Sequence, residues 1–589
     1  MYNPIPRIFF LVGAALSLFV LVKEAGAQGL VNADMYRGRA TLSIPLTSIQ
    51  KGGIAVPVSL EYAAAGVKVS EGEGKPYGLG WSLVASGSIR RQLADLPDDK
   101  LSGGWLNNNS GNLALSFNIA NDGNASSCSD EAADINHLNS NFPVGTDSEP
   151  DIFNVTAPGL SCKLVFDKNR VPQIIPYKDL KVSYTTDGYG INTFTLINDQ
   201  GVSYYFANAE LMTRHCTEAT LPLAFYSREY HQYSTQQTFY SRWHLQHIKD
   251  ASGNVVTFEY TDPEPGEPGA TKTEVMLPNG SGGLTKKTLY SVSTTSQPRY
   301  LKKIISGITA DVVFSYAATN SITGLLSSII LKNGQALSIQ YHTNSTIPDA
   351  AGNSTQRAYL RRIASSGCDA QPPFEFYYHS VNYGSNESPL PASDSRQQDL
   401  WGYYNAGSDT QLTPQVYVYP PNASYPNLER YRLTPVPGYT GTWFTLPGAN
   451  RAVNPSVVMC GTLTKIENPM GGSTLLEYEP NRYYDANAQA EYNGGGIRIK
   501  KITESDGMDP SKDMVREFIY TLPGSSTSSG KTLHLPSFAF TRPYNGTPGT
   551  QAYWENATIR SENDLSGRTD RGCLQLRHRP ANRPWKDGI

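Results

Sequence analysis

One spacing recurs through the middle of this chain and restricts what it can fold into. Leu245 and Ile248 are followed by Phe258 and Tyr260, Leu301 and Ile304 by Phe314 and Tyr316, and Leu326 and Ile329 by Ile339 and Tyr341. Leu463 and Ile466 are followed in the same way by Leu476 and Tyr478, and in all four the first Leu and the last Tyr stand 15 residues apart. Two longer versions, Leu360/Ile363 with Phe376/Tyr378 and Ile499/Ile502 with Phe518/Tyr520, carry extra residues where a turn would fall. A relative with different anchors runs from Phe194-Thr195-Leu196 through Asp199-Gln200-Gly201 to Tyr204-Tyr205-Phe206. Gly253, Asn333-Gly334 and Gly471-Gly472 sit at turn tips, where positive φ is needed. The unit is a two-stranded hairpin, and because a lone hairpin is marginal in water, such units must stack to bury their faces. Residues at i and i+3 point to opposite faces of a regular strand. For Leu and Ile to share a core, either a bulge realigns them or both faces are partly covered.

The N-terminal part reads as strands too. Leu42, Ile44 and Leu46 alternate ahead of Gly52-Gly53, and Ile54, Val56, Val58, Leu60 and Tyr62 alternate after it, with Val67 and Val69 continuing the pattern. Pro45 and Pro57 fall between them and give these strands an edge or bulged character. In Gly78-Leu79-Gly80-Trp81-Ser82-Leu83 the glycines let the backbone approach a large indole. With 36 Tyr, 52 Gly and 39 Pro and only 17% charged residues, the composition suits pleated surfaces and turns. The predicted fold is all-β: an N-terminal β-sandwich-like region over 28–150 and stacked antiparallel hairpin repeats over 151–545. A polar surface loop spans about 107–147, and a basic tail over 546–589 shows no strand period and reads as disordered or frameshifted.

Arg7, the apolar run Ile8 to Val22 and Ala25-Gly26-Ala27 form a signal peptide over 1–27, which predicts a secreted or cell-surface protein. No later segment is long enough to span a membrane, and a net charge of -3 with scattered signs excludes a basic stripe for nucleic acid. Six cysteines are too few to build the fold. One or two bridges fit an exported chain, with Cys128 and Cys162 the closest pair, but the connectivity stays open.

Chemistry is sparse. His244 and His247, at i and i+3 on a strand, would face opposite sides and lack the helical spacing of a zinc pair. Asp122, Asn124 and Ser126 alternate as in a calcium loop, without its central Gly and downstream Glu. Ser82 follows Gly80-Trp81 without the second Gly of a nucleophile elbow. Asp399, beside Trp401 and Tyr403, is the first carboxylate to examine for glycan hydrolysis, and otherwise reads as a turn aspartate. Trp401, Tyr403 and Tyr404 are candidates for stacking on a sugar. Catalytic residues, metal ligands and cofactors are therefore assigned to none.

Several blocks carry a family resemblance: Ser43-Ile44-Pro45-Leu46, Pro57 to Tyr62, Gly66 to Val69, Gly78 to Leu83 and Leu96-Pro97-Asp98-Asp99. Further along come Glu149-Pro150-Asp151-Ile152-Phe153, Gln398 to Asn405 and Gly495 to Ile499. With the hairpin repeats, they resemble the N-terminal region of secreted bacterial RHS/YD-repeat proteins of Bacteroidetes type, without the C-terminal core and tip. The resemblance implies a non-enzymatic β-scaffold, the front part of a shell used in toxin encapsulation or cell contact, with a C-terminal RHS or toxin segment as partner. The alternatives are a cell-surface carbohydrate-binding or adhesive module with a surface glycan as partner, marked by exposed aromatics on one sheet, and a glycan-active enzyme with two close carboxylates.

Overall fold

The computed structural model describes residues 30–108, 146–219, 232–266, 269–278, 284–345, 355–366, 370–531, 539–542 and 555–562, except 35, 95, 148, 410, 421, 429–430 and 447. The signal segment, Cys128, the Asp122–Ser126 alternation and most of the 107–147 loop lie outside them. The described residues are all-β, as expected from the sequence: strands throughout, with one 3-10 turn at Pro510–Lys512.

Two compact units are formed. Of the described residues, the first takes those within 1–51, 55–85 and 300–536, and the second those within 52–54, 86–299 and 537–589.

In the first unit a four-stranded sheet is ordered Val31–Asp34, Arg39–Lys51, Ile54–Ala64, Trp81–Val84. The alternation read from the sequence is the burial pattern: Leu42, Ile44, Leu46, Ile54, Val56, Val58, Leu60, Tyr62, Val67 and Val69 are all buried. Trp81–Val84 pairs only with Ser59 to Tyr62, so Pro57 lies beyond the reach of that neighbour and costs the ladder nothing there. Gly80 has φ +76, and a Cβ on it would stand 2.5 Å from a ring carbon of Tyr62. That close approach seats Trp81 against Tyr62 and Phe376, with ring centroids 5.4 and 4.9 Å away.

The hairpin repeats of this unit form one run of antiparallel strands from Leu301–Ile305 through Val312–Thr319, Ile322–Leu331, Ala336–Ser345, Gln356–Ser366 and Phe374–Tyr378. It continues through Leu463–Glu467, Ser473–Asp485 and Ala490–Ser505 to Met514–Glu517. The tip glycines Gly334 and Gly471 have φ +83 and +87, as the turns require.

Bulges resolve the i, i+3 conflict. Tyr316 pairs with Leu326 while Ser315 pairs with Ser328, which leaves Ser327 as the extra residue. Arg361, Thr464 and Lys500 are left over in the same way, each directly after the first apolar anchor of its repeat. One inserted residue turns an i, i+3 pair into neighbours on one face. Leu326 with Ile329, Leu360 with Ile363, Leu463 with Ile466 and Ile499 with Ile502 are accordingly all buried. At two bulges the extra residue supplies its own tie: Ser327 Oγ donates to the Ser315 carbonyl at 3.0 Å, and Thr464 Oγ to that of Tyr377 at 3.1 Å.

The terminal tyrosine of a repeat has a second duty. The hydroxyls of Tyr316 and Tyr478 donate to the carbonyls of Leu301 and Leu463 at 2.8 Å, and those of Tyr378 and Tyr520 to Leu360 and Ile499 at 2.7 and 2.6 Å. Each unit is thus closed on its own first residue. Tyr341 is the exception, directed to Pro76 at 3.4 Å.

The second unit repeats these devices. Ser88–Gln92 pairs on one side with Ile152–Ala157, followed by Leu160–Phe166 and Pro172–Ile175, and on the other with Gln232–Lys249. Leu180–Asp187, Gly190–Asn198 and Ser203–Ala219 lead to the far side of Gln232–Lys249. Gln246 is the bulge residue after Leu245, and Tyr260 donates to the Leu245 carbonyl at 2.8 Å. Phe153, Phe166, Phe194 and Trp243 form the aromatic centre, with Phe153 5.7 Å from each of the other three. Of the tail, Glu555–Glu562 is a strand paired with Gly269–Pro278 and Ala539–Arg542. Cys162 is buried on Leu160–Phe166 as a free thiol, which removes the Cys128 to Cys162 bridge, whereas Cys216 is disulfide-bonded.

Candidate functional site

The Asp399 to Tyr404 segment is a tight turn built on its aspartate. Asp399 is fully buried, and its Oδ1 accepts the N–H groups of Trp401 and Tyr403 at 2.8 and 3.0 Å. Its carbonyl accepts two bonds from the buried Arg451 guanidinium at 3.1 and 2.6 Å, while Arg451 also reaches the Leu412 carbonyl at 2.6 Å. Burial pushes the Asp399 carboxyl up to about 6, against the pull of the turn N–H groups. Trp401 is half-buried with its Cγ where a Cβ on Gly495 would fall, 2.2 Å away, so one ring face lies on that glycine. Tyr403 is half-buried between Gly66 and Gly496, and Tyr404 is half-buried beside them in sequence. Two blocks that carried the family resemblance, Gln398 to Asn405 and Gly495 to Ile499, are here packed together.

His244 and His247 take separate partners. The bulge at Gln246 pairs His247 with Tyr205 and His244 with Ala207, which returns both histidines to one side of the strand. What keeps them apart is chemistry: His244 Nε2 lies 2.7 Å from buried Glu210 Oε1, and His247 lies against Tyr205 with centroids 4.9 Å apart. Burial lowers the His244 pKa, and Glu210 also accepts the Arg299 N–H at 3.0 Å. Among the described residues no group of three or more His, Cys, Asp or Glu is placed to hold a metal ion.

The most concentrated charge in the second unit escaped the sequence reading. Arg91 sits on the buried face of Ser88–Gln92, two residues from Ile89, with its guanidinium 5.1, 5.3 and 5.7 Å from the ring centres of Phe153, Trp243 and Phe239. Its Nη2 donates to Asp99 Oδ2 at 2.7 Å, and its Nε lies 3.5 Å from Asp151 Oδ2. Asp151 accepts the N–H groups of Ala94 and Asp98 at 2.7 and 3.1 Å, and donates its own N–H to Asp98 Oδ1 at 2.8 Å. Asp99 also receives the Ile191 N–H. Three buried carboxylates thus face one cation. Burial and the neighbouring carboxylates raise Asp98 well above the usual range, and burial pushes Asp151 up to about 7 against Arg91. The available signal was an arginine at a core position of a strand, with Asp98-Asp99 and Asp151 already notable as family blocks.

A second feature lies in the first unit, between Phe374–Tyr378 and Leu463–Glu467, which are paired neighbours. The intervening chain carries a small sheet of Tyr431–Arg432, Val416–Val418 and Phe444–Leu446 with clustered aromatic rings. No helix among the described residues is long and apolar enough to cross a membrane.

No family model matches the chain, and no curated protein matches it. Among solved structures it is similar to TcdB2-TccC3, with 12% identity, coverage of 80% of this chain and 20% of that one, and a TM-score of 0.26. It is similar to TcdB2-TccC3-Cdc42 at 11% identity, with 89% and 21% coverage and a TM-score of 0.27. The N-terminal domain of effector protein SpvB from Salmonella typhimurium strain LT2 matches at 14% identity, with 58% and 94% coverage and a TM-score of 0.21. The chain spans about a fifth of the length of the first two. Superpositions this loose carry no argument about what the chain does.

Proposed function

We propose that this chain is a non-catalytic wall segment of a secreted or cell-surface RHS-like β-shell. The observation that supports the reading is a closure repeated in every template hairpin but the one ending at Tyr341: a tyrosine hydroxyl on the unit's first carbonyl, joined in most of them by a bulge after the next unit's first anchor. Repeats closed in this way add side by side through ordinary antiparallel pairing, so a wall grows without any one residue being needed for chemistry. A C-terminal RHS or toxin segment is the partner such a wall would enclose.

The test is to express the whole chain in a bacterial host with its leader, sequence the N-terminus of the exported product and image it by cryo-electron microscopy. Export with a mature start at Gln28 and a curved, hollow wall is expected. A solid particle, or a product retained in the cytoplasm with its leader intact, would overturn the reading.

A further inference from the structure

On the face of the second unit's sheet turned away from its aromatic centre, two arginines stand directly opposite each other. Ile89 and Arg91 of Ser88–Gln92 point into the core, and Arg90 between them points out. The register with Gln232–Lys249 sets Arg90 against Arg242. The same row continues through Asn154 to Lys163 on the two strands beyond. In the adjacent row Ser88 lies between His244 and Thr156. Neighbouring strands are about 4.8 Å apart, so the backbone positions from Arg242 to Lys163 span about 14 Å. No charge run in the sequence announces this row, because its residues come from four separate stretches of the chain.

Like charges directly opposite on a sheet repel unless something neutralises them. Glu210, the next residue of the row, does so only in part. Its Oε1 lies 3.6 Å from Arg242 Nη1, but it also faces His244 Nε2 at 2.7 Å and accepts the Arg299 N–H at 3.0 Å. Arg90 is exposed and makes no hydrogen bond or ion pair among the described residues, and the same holds for Lys163. Arg242 lowers the Arg90 pKa more than burial does, and Glu210 pulls it back as a lesser influence.

An anion able to face two guanidiniums at once would complete the row. A carboxylate has two oxygens and fills one guanidinium fork. A phosphate monoester offers three oxygens and about -1.5 to -2 charges, enough to bridge a pair. By register the Asn154 amide and the Ser88 hydroxyl stand beside the pair as further donors. Three cations suit one phosphate group and fall short of the roughly six to ten contacts of a nucleic-acid track.

We infer that Arg90 and Arg242 form a binding site for a phosphate monoester group, with Asn154 and Lys163 extending it along the row. The site goes beyond the wall reading and is independent of it: a solid particle in the imaging experiment leaves it intact.

Titration calorimetry on the mature full chain, in a low-salt buffer free of phosphate and sulfate, would test it. The probes are glycerol 3-phosphate for a free ester and phosphatidic acid vesicles for one carried on a lipid, with acetate as the carboxylate control. Saturable binding of a phosphate probe is expected, weakened about tenfold or more by Arg90→Gln and by Arg242→Gln. Lys512→Gln, which removes an exposed cation elsewhere in the chain, should leave it unchanged. The probe that binds tells whether the group arrives free or on a lipid. Without any probe, the thermal midpoint of Arg90→Gln should equal or exceed that of the parent, because a like-charged pair has been relieved, and this also shows that the variant folds. Glycerol 3-phosphate should then raise the midpoint of the parent and not that of the variant. Absence of binding up to about 10 mM, binding indifferent to both arginine variants, or acetate bound as tightly as phosphate would overturn the assignment. The rival occupant is the chain's own acidic stretch, where Asp122, Asp130, Glu131 and Asp134 stand within 109–145 without a Lys or Arg. Phosphate binding that emerges only when these four are changed to amides would assign the arginines to that stretch and overturn the proposal too.

Discussion

The hydroxyl of Tyr478 donates to the carbonyl of Leu463 across 2.8 Å, joining the two ends of a repeat that are 15 residues apart. The same pair of positions is joined in the repeats that end at Tyr260 and Tyr316. The tyrosine therefore does two jobs in these repeats, its ring packing against the sheet and its oxygen closing the unit, and a phenylalanine there could do only the first.

Tyr478→Phe keeps the ring and removes the closure, leaving a buried carbonyl without its donor, and should lower unfolding free energy by about 1–2 kcal/mol. Tyr341→Phe, whose hydroxyl reaches Pro76 only at 3.4 Å, should cost less than Tyr478→Phe. Urea denaturation of the two variants side by side checks the ranking, and equal losses would show that the closure adds nothing beyond the ring.

Gly80→Ala combines a left-handed backbone with a clash against Tyr62, and should destabilise by about 2 kcal/mol or more. The same substitution at Gly334, where a Cβ would meet nothing within 4 Å, bears only the backbone term and should cost less. Thermal midpoints of the two variants distinguish them.

Asp98 and Asp151 titrate above the unfolded value of about 3.9. A raised carboxyl holds a proton in the folded state that the unfolded chain has released. The stability it contributes is full below about pH 4 and is lost as pH rises through its folded pKa, about 7 for Asp151. Asp399, raised to about 6, acts in the same sense. The lowered His244, His247 and His342 act oppositely, adding stability as pH rises toward their ordinary value. Asp98→Asn isolates the first effect because its amide imitates the protonated acid. Urea midpoints at pH 5 and pH 8 should show the variant gaining on the parent as pH rises. Parallel profiles would place the protonation elsewhere.

Arg357 is completely buried, and its guanidinium donates to the carbonyls of Glu71, Pro391 and Val69 at 3.1, 2.7 and 2.9 Å. An ammonium cannot reproduce that fork, so Arg357→Lys should cost about 3 kcal/mol. Limited proteolysis near residues 69–71 provides a local readout, since release of that segment should make it the first site cut.

Much of the strand content was legible because alternation and turn glycines are local. Leu42 to Val69 read as buried positions in sequence and are buried in the fold, and Gly253, Gly334 and Gly471 take the positive φ that their turn tips demanded. Local chemistry, with a side-chain period of two and the steric freedom of glycine, was sufficient there. The sequence also displayed the conflict of Leu and Ile at i and i+3 without resolving it. Whether Ser327, Thr464 or Lys500 is extruded depends on which residue of the next strand has already paired, and that is a property of two strands. The Arg91 centre is more extreme: Asp98, Asp99 and Asp151 meet it only after the loop and two strands have closed, since the attraction of charges in a low-dielectric interior acts through space and leaves no period in the chain. Sequence determined the strands, the turns and the repeat, whereas only tertiary structure decided which residue bulges and which carboxylates share one arginine.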